Sequence, residues 1–116
     1  MTLRERQSIF ARNAARLIEW CFRSGYEVTL GEAWRPQFAA DEYANQGKGS
    51  RTSLHGERLA IDLNLFKDGK YLTDSADYAR AGDAWKALHE MNRWGGDFRK
   101  IKDGNHFSMS VGDGRA

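Results

Sequence analysis

The chain has 116 residues, of which 41% are hydrophobic and 29% charged, a balance typical of one globular domain rather than a disordered chain. The formal net charge of +2 is too small to indicate a nucleic-acid-binding protein, and the single cysteine excludes an internal disulfide or a multi-cysteine metal site. No segment approaches the roughly 20 apolar residues that a membrane span needs. We therefore expect one domain over residues 1–116, with no nucleic-acid partner and no stable membrane association.

The first half of the chain predicts two helices and one strand. Apolar residues recur at helical spacing over residues 3–23, and Gly25 follows as a helix-ending residue. The alternating segment 26–30 predicts a strand. A short helix is expected over 38–45, followed by a loop over 46–53 whose composition is rich in Gly and Ser.

The second half predicts most of the strands and one more helix. The segment 83–94 has helical spacing and is followed by two glycines. The expected strands are 59–66, 71–72, 98–101 and 106–109, with an Asp-Gly hairpin turn between the first two. Helices at the start and before the end of a run of strands indicate an α+β fold, with a small central antiparallel sheet on which the helices pack.

One aspartate interrupts the most apolar of these strands. Asp62 lies inside Leu-Ala-Ile-Asp-Leu at 59–63, and strand alternation places it on one face with Ala60 and Asn64. The opposite face is made of Leu and Ile. Because a buried carboxylate without a partner is costly, Asp62 should have a cation or a metal beside it.

Two of the three histidines can supply that partner. His55 precedes the Asp62 strand, and His106 begins a strand that can pair with it. Two imidazole nitrogens and one carboxylate oxygen are the ligand types of catalytic zinc sites, which leave a fourth position open. The alternative is an ion pair of Asp62 with Arg58 or a lysine. His89, inside the predicted second helix, is expected to be a packing or surface residue.

Three segments together resemble a known enzyme family. These are SLHGERLAID at 53–62, WGGDF at 94–98 and DGNH at 103–106, and their order and separation resemble the M15 family of zinc peptidases. That family includes D-alanyl-D-alanine carboxypeptidases and phage L-alanyl-D-glutamate endopeptidases. The phage endolysin branch is the most similar, because it shares the short chain and the Gly-Gly-Asp-aromatic segment before the last histidine.

The resemblance implies a role for each motif residue. His55, Asp62 and His106 would bind Zn²⁺, and Asp103 would be the catalytic acid, three residues before the last histidine. Taken alone, Asp103 also suits a plain Asp-Gly turn. Asp97 is the rival carboxylate for the catalytic role.

Arg35 and Ser53 each have two possible roles. Arg35 resembles the cleft arginine of the family, which would hold a substrate carboxylate or the developing oxyanion, but a surface ion pair with Glu32 or Asp41 is an equal alternative. Ser53 would bind substrate or cap the turn before His55.

Two positions depart from the family pattern. Arg58 stands where the family often has Gly, and Ser108 stands where an acidic residue is common; both departures concern the substrate rather than the zinc. Trp34, Trp85 and Trp94 are expected in the core, where their N–H groups would need partners.

The resemblance thus implies a zinc metallopeptidase that hydrolyses peptidoglycan stem peptides, and we expect a phage or prophage endolysin that cuts L-Ala-D-Glu. A D-alanyl-D-alanine carboxypeptidase is the alternative within the class, and a non-catalytic zinc-containing wall-binding module is the alternative outside it. Because the amphipathic, charged N-terminus lacks the features of a signal peptide, we expect the protein to stay in the host cytoplasm until release to the cell wall. We also expect a monomer.

Overall fold

The computed structural model describes residues 1–47 and 53–115 and has an α+β architecture. Helices and strands occur in the order α1, β1, α2, β2, β3, α3, β4, β5. The helices are α1 (Leu3–Arg23), α2 (Gln37–Asn45) and α3 (Ala79–Leu88), and the strands are β1 (Glu27–Leu30), β2 (Ala60–Lys67), β3 (Lys70–Tyr71), β4 (Asn92–Trp94) and β5 (His106–Met109). All strand pairs are antiparallel, so the predicted fold class is confirmed.

Helix α1 has the predicted bounds because its two ends and its apolar stripe agree. The Thr2 hydroxyl accepts a hydrogen bond from the Glu5 N–H at 3.1 Å, which caps the first turn. After the last turn, Gly25 adopts φ +92°, a conformation that suits glycine. The buried stripe includes Leu17 and Cys21, and burial raises the pKa of the Cys21 thiol to about 11, as expected for an inert packing residue.

Strand β2 lies inside the sheet, whose order is β1-β2-β5-β4 with β3 paired to the far end of β2. The β2–β5 register places Asp62 opposite His106 and Ile61 opposite Phe107. Since opposed residues of an antiparallel pair share a face, Asp62 and His106 point to one side and the two apolar residues to the other.

The core lies between α1, α3 and the apolar face of the sheet. Phe10 of α1, Trp85 of α3 and Phe107 of β5 form two edge-to-face ring contacts, with centroids 5.5 and 6.2 Å apart. Leu63 and Leu65 of β2 are completely buried in the same cluster. The helices therefore cover one sheet face and leave the other for Asp62 and its neighbours.

The predicted helix at 83–94 is wrong at both ends. Helix α3 starts earlier and ends at Leu88, because the chain turns where His89 Nδ1 accepts the Met91 N–H at 3.0 Å. The Asn92 amide then donates to the Trp85 carbonyl at 2.9 Å and closes the helix end. The last predicted turn forms β4 instead.

The other strand predictions have mixed outcomes. Residues 98–101 form no strand. The strands at 59–66, 71–72 and 106–109 appear within one or two residues of the predicted bounds. Most of the predicted loop 46–53 lies outside the described residues. Within the described part of the chain, no helix is both long and apolar enough to cross a membrane.

Candidate metal centre

Three polar side chains converge on the face of the sheet away from the helices. His55 lies in a 3₁₀ turn, Leu54–Glu57, that leads into β2, and His106 is the first residue of β5. His55 Nε2 lies 3.2 Å from Asp62 Oδ1, and His106 Nδ1 lies 3.4 Å from the same oxygen. The turn and the β2–β5 register together bring residues 55, 62 and 106 to one point.

The chemistry of this cluster fits a zinc ion. The candidate ligand atoms of His55, Asp62 and His106 all lie within 4.8 Å of one another. Tetrahedral bonds of about 2.0–2.2 Å place two ligand atoms roughly 3.3–3.6 Å apart, close to the spacings found here. Asp62 Oδ1 is buried and has no hydrogen-bond donor among the described residues. Such an orphaned oxygen between two imidazoles is what a cation would satisfy.

The charge state of Asp62 also suits a ligand. Burial alone would raise the pKa of this carboxyl, but the neighbouring imidazoles of His106 and His55 outweigh it and lower the pKa to about 2. The group is therefore ionised at neutral pH, as a ligating carboxylate must be.

Glu32 supports the cluster from behind, a role that the sequence pattern did not predict. Its carboxylate lies 3.7 Å from His55 Nδ1 and accepts a hydrogen bond from Arg35 Nε at 2.8 Å. Its backbone carbonyl accepts the Asp62 N–H at 2.8 Å, which ties the segment to β2. At 3.7 Å this carboxylate forms no hydrogen bond with His55 Nδ1, but it places a negative charge beside the ring nitrogen that faces away from Asp62.

Arg35 forms the ion pair with Glu32 that was considered for it, and it does so beside the cluster. Its guanidinium pairs with Glu32, as in the ion-pair alternative, but its side chain is only 12% exposed and also packs over the Tyr43 ring at 5.0 Å. The Arg35 N–H donates to the His55 carbonyl at 3.2 Å, and its charge lowers the pKa of Asp103. Arg35 is thus a partly buried cation beside the cluster rather than a surface residue.

Asp103 lies next to the cluster on a short loop before β5. Burial raises the pKa of its carboxyl; the charge of His106 opposes that shift, and the charge of Asp62 adds to it. The Asp103 carbonyl accepts the His106 N–H at 3.1 Å, so the loop and the candidate ligand are directly joined. The Asp103 carboxyl group thus lies within electrostatic range of His106, Asp62 and Arg35.

The WGGDF segment fixes that loop. Gly95 O accepts the Asp103 N–H at 2.9 Å, and a Cβ at Gly95 would approach the Asp103 carbonyl oxygen to 1.9 Å. The indole N–H of Trp94 donates to the Gly104 carbonyl at 2.7 Å. Only glycine permits this close approach, which explains why glycine follows Trp94.

The remaining predicted residues fall in different places. The Ser53 hydroxyl accepts the His55 N–H at 3.2 Å, which is the capping role. Asp97 forms an ion pair with Lys86 at 2.7 Å on the surface. His89 lies in a separate groove beside the first half of α1. The structure therefore brings neither His89 nor Asp97 into the cluster.

Trp34 is not a core residue, so that prediction is wrong for one of the three tryptophans. It is 48% exposed and stacks under the Arg58 guanidinium at 4.6 Å, while Trp85 and Trp94 are buried with partners for their N–H groups. Arg58 takes φ +58°, the left-handed conformation that explains a preference for Gly at its position. Ser108 is completely buried.

Two recesses lie beside the segments that carry His55 and His106. One, of about 270 Å³, is lined by residues next to His55, including Trp34, Arg35 and Ser53. The other, of about 160 Å³, lies next to His106 and is lined by the loop that carries Asp103 and by the region around β3.

Comparisons with known proteins agree with this geometry. A family model described as D-alanyl-D-alanine carboxypeptidase, of the M15 peptidases, matches residues 46–109. The crystal structure of the Serratia marcescens L-Ala D-Glu endopeptidase ChiX superposes with a TM-score of 0.69 at 22% sequence identity, covering 83% of this chain and 77% of that one. No curated protein sequence matches the chain. The structural match shows a shared fold.

Proposed function

Because the chain belongs to the M15 family of peptidases, we propose that it is a zinc-dependent endopeptidase that cuts the L-Ala–D-Glu bond of bacterial peptidoglycan stem peptides. The observation that carries the proposal is the convergence of His55 Nε2, Asp62 Oδ1 and His106 Nδ1 beside a separate carboxylate, that of Asp103. Three protein ligands with a fourth position free is the arrangement of a catalytic rather than a structural zinc site.

Each residue has a definite task in this reaction. His55, Asp62 and His106 would hold the ion, and Glu32 would keep the His55 ring in its ligating orientation. The chemistry that zinc supplies when bound in such a site is polarisation of the scissile carbonyl and activation of water near neutral pH. Asp103 would take a proton from the attacking water and deliver it to the leaving amine.

Arg35 would act on the substrate from the other side. Its guanidinium is held by Glu32, so its planar donor fork is fixed before substrate arrives. A fixed donor aimed at a carbonyl or carboxylate oxygen stabilises charge that develops there. Ser53 is the weaker candidate for substrate contact, because its hydroxyl already accepts the His55 N–H.

The two recesses favour an endopeptidase over a carboxypeptidase. A carboxypeptidase needs room for only one residue beyond the scissile bond and a group that holds the terminal carboxylate. Here a recess is present beside the segment that carries His55, and another beside the loop that leads to His106. The structural neighbour ChiX is an L-Ala D-Glu endopeptidase, and its activity supports the choice of the same bond. A D-alanyl-D-alanine carboxypeptidase is the second candidate, favoured by the description of the matching family model.

We also propose a biological setting of the phage endolysin type. The WGGDF segment before the last histidine supports it, because this segment is what makes the chain resemble the phage branch. In that setting the enzyme would wait in the host cytoplasm and reach the wall after the membrane is breached.

Digestion of purified peptidoglycan, with mass spectrometry of the fragments, tests the proposed activity and bond. We expect stem peptides that begin with D-Glu, produced by the zinc-loaded wild type and not by His106→Ala. Release of free D-Ala alone would instead identify the carboxypeptidase. Binding to peptidoglycan without any release would identify the non-catalytic wall-binding module and contradict the proposal.

A further inference from the structure

The recess beside Asp103 is built almost wholly from polar groups. It is lined by side chains of the 102–105 loop, which include Lys102 and Asn105, and by Tyr71 and Ser75 from the region around β3. Its volume of about 160 Å³ suits a small group such as a carboxylate and the carbon atoms that carry it. Its hydroxyls, amide and ammonium are all able to donate hydrogen bonds.

The loop that forms this recess is held on both sides. The Ser75 hydroxyl accepts the Gly104 N–H at 2.9 Å, and a Cβ at Gly104 would lie 2.5 Å from Ser75 Cα. On the other side, the Asn105 carbonyl accepts the Leu63 N–H at 2.9 Å. Lys102 and Asp103 therefore project from a backbone whose position is fixed before any ligand binds.

Beside the Asp103 carboxylate, Lys102 places a positive charge in the recess. Its ammonium donates to the Gly96 carbonyl at 3.2 Å and has no ion-pair partner among residues 1–47 and 53–115. An ammonium has three N–H donors, so donors remain after the Gly96 contact. A carboxylate forms a charge-assisted hydrogen bond with such a group, and that bond is about twice as strong as one between neutral groups.

The position of Asp103 determines which residue of the substrate occupies this recess. A group that protonates the leaving amine must lie within hydrogen-bond reach of that nitrogen. The residue that supplies the amine therefore lies on the Asp103 side, in the recess that Lys102 lines. If that residue is a glutamate, only one of its two carboxyl groups forms the peptide bond to the next residue. The other carboxyl group is free to bind in the recess.

We propose that Lys102 is a specificity-determining residue that binds the free carboxylate of the residue on the leaving-amine side of the scissile bond. Tyr71 and Asn105 would complete this subsite, since both already converge on the Asn64 amide oxygen, each at 3.4 Å. The subsite selects a stem peptide with a free glutamate carboxylate over one in which that group is an amide. This inference rests on the proposed function for the direction of the peptide.

The test uses two matched dipeptide probes on the full chain. One is γ-D-glutamyl-L-lysine, in which the α-carboxylate of the glutamate is free. The other is the same dipeptide with the α-carboxyl group of the glutamate converted to a carboxamide. Calorimetric binding to zinc-loaded wild type should be about 10-fold tighter for the carboxylate, on the scale of one charge-assisted hydrogen bond. Lys102→Met should lose this preference and Lys102→Arg should keep most of it. Lys100→Met is the control, because Lys100 is exposed and does not line the recess.

The same pair of chemistries in longer peptides, L-Ala-γ-D-Glu-L-Lys and its α-carboxamide, gives a kinetic readout. We expect Lys102→Met to raise KM for the carboxylate peptide about 10-fold and leave kcat and zinc content nearly unchanged. Equal binding of the two dipeptides by the wild type would overturn the inference, as would a preference that survives in Lys102→Met. Absence of hydrolysis by the wild type would overturn the proposed function, while the dipeptide binding would still decide the role of Lys102.

Discussion

The two faces of β2 differ in the groups that their side chains contact. On one face, Ile61, Leu63 and Leu65 pack against the helices and are almost completely buried. On the other, Asp62 has a buried oxygen with no hydrogen-bond donor among residues 1–47 and 53–115, and Asn64 is half-buried. Neighbouring residues of one strand therefore serve opposite purposes, because the side-chain period of two separates them cleanly.

This contrast shows where the fold is stabilised and where it is not. The apolar face is complete in itself, since each side chain there has packing partners from α1, α3 or β5. The polar face brings three potential ligand residues together, and each has one buried polar atom without a hydrogen bond among the described residues: His55 Nδ1, Asp62 Oδ1 and His106 Nε2. Such incomplete polar clusters are the usual mark of a ligand site rather than of structure.

The largest expected effect comes from removing a ligand on the polar face. His106→Ala should abolish peptidoglycan hydrolysis and retain the folded state, because the ring contributes a ligand but lies outside the apolar cluster. Turbidity clearance of a peptidoglycan suspension measures the activity, and circular dichroism checks the fold. Hydrolysis close to that of the wild type in a folded variant would show that the polar face is not the active site.

The next effect concerns the carboxylate beside the cluster. Asp103→Asn should keep zinc and fold but lower kcat by ~10²–10⁴-fold, the range typical of general acid–base catalysis. Asp97→Asn is the matched control, since Asp97 lies on the surface in an ion pair with Lys86. Normal turnover of the first variant with collapse of the second would move the catalytic role to Asp97.

A substitution on the apolar face should act on stability alone. Leu63→Ala removes a completely buried side chain next to Asp62, and we expect a loss of about 2–5 kcal/mol in the free energy of unfolding. Urea denaturation of the zinc-loaded protein measures it. The remaining folded protein should hydrolyse peptidoglycan normally, so a large fall in kcat would show that the two faces are not independent.

The smallest expected effect concerns Glu32, which lies behind the candidate ligand His55. Glu32→Gln keeps the size of the side chain but removes the charge near His55 Nδ1, and zinc affinity should fall about 10–100-fold. Competition with a chromogenic chelator measures the affinity. Glu42→Gln, on the exposed surface of α2, is the control and should leave zinc affinity unchanged.

The strong periodic signals made much of the fold predictable from sequence. The apolar stripe of α1 and the alternation around Asp62 depend on local spacing, and both appear as expected. The end of α3 was not predictable from local spacing, because the turn at His89 depends on contacts that close the helix and start β4. No sequence period marks such a contact.

The candidate site was predictable where residue type and order carry the chemistry. His55, Asp62 and His106 follow from ligand types and from family resemblance. Glu32 could not be found in this way, since a glutamate three residues before Arg35 suggests an ordinary surface ion pair. Its approach to His55 depends on how the 3₁₀ turn docks against the segment after β1. The prediction that Trp34 is a core residue was wrong for a similar reason. Trp34 belongs to the segment after β1, and its exposure depends on how that segment docks.

The zinc content of the purified protein tests the central claim most directly, since every assigned role on the polar face depends on it. Elemental analysis after dialysis against metal-free buffer should give one zinc per wild-type chain, and little or none for His55→Ala, Asp62→Ala and His106→Ala. His89→Ala should retain one zinc per chain, because His89 lies in a different groove. Full zinc content in the His55→Ala and His106→Ala variants, or its loss from His89→Ala alone, would contradict the account.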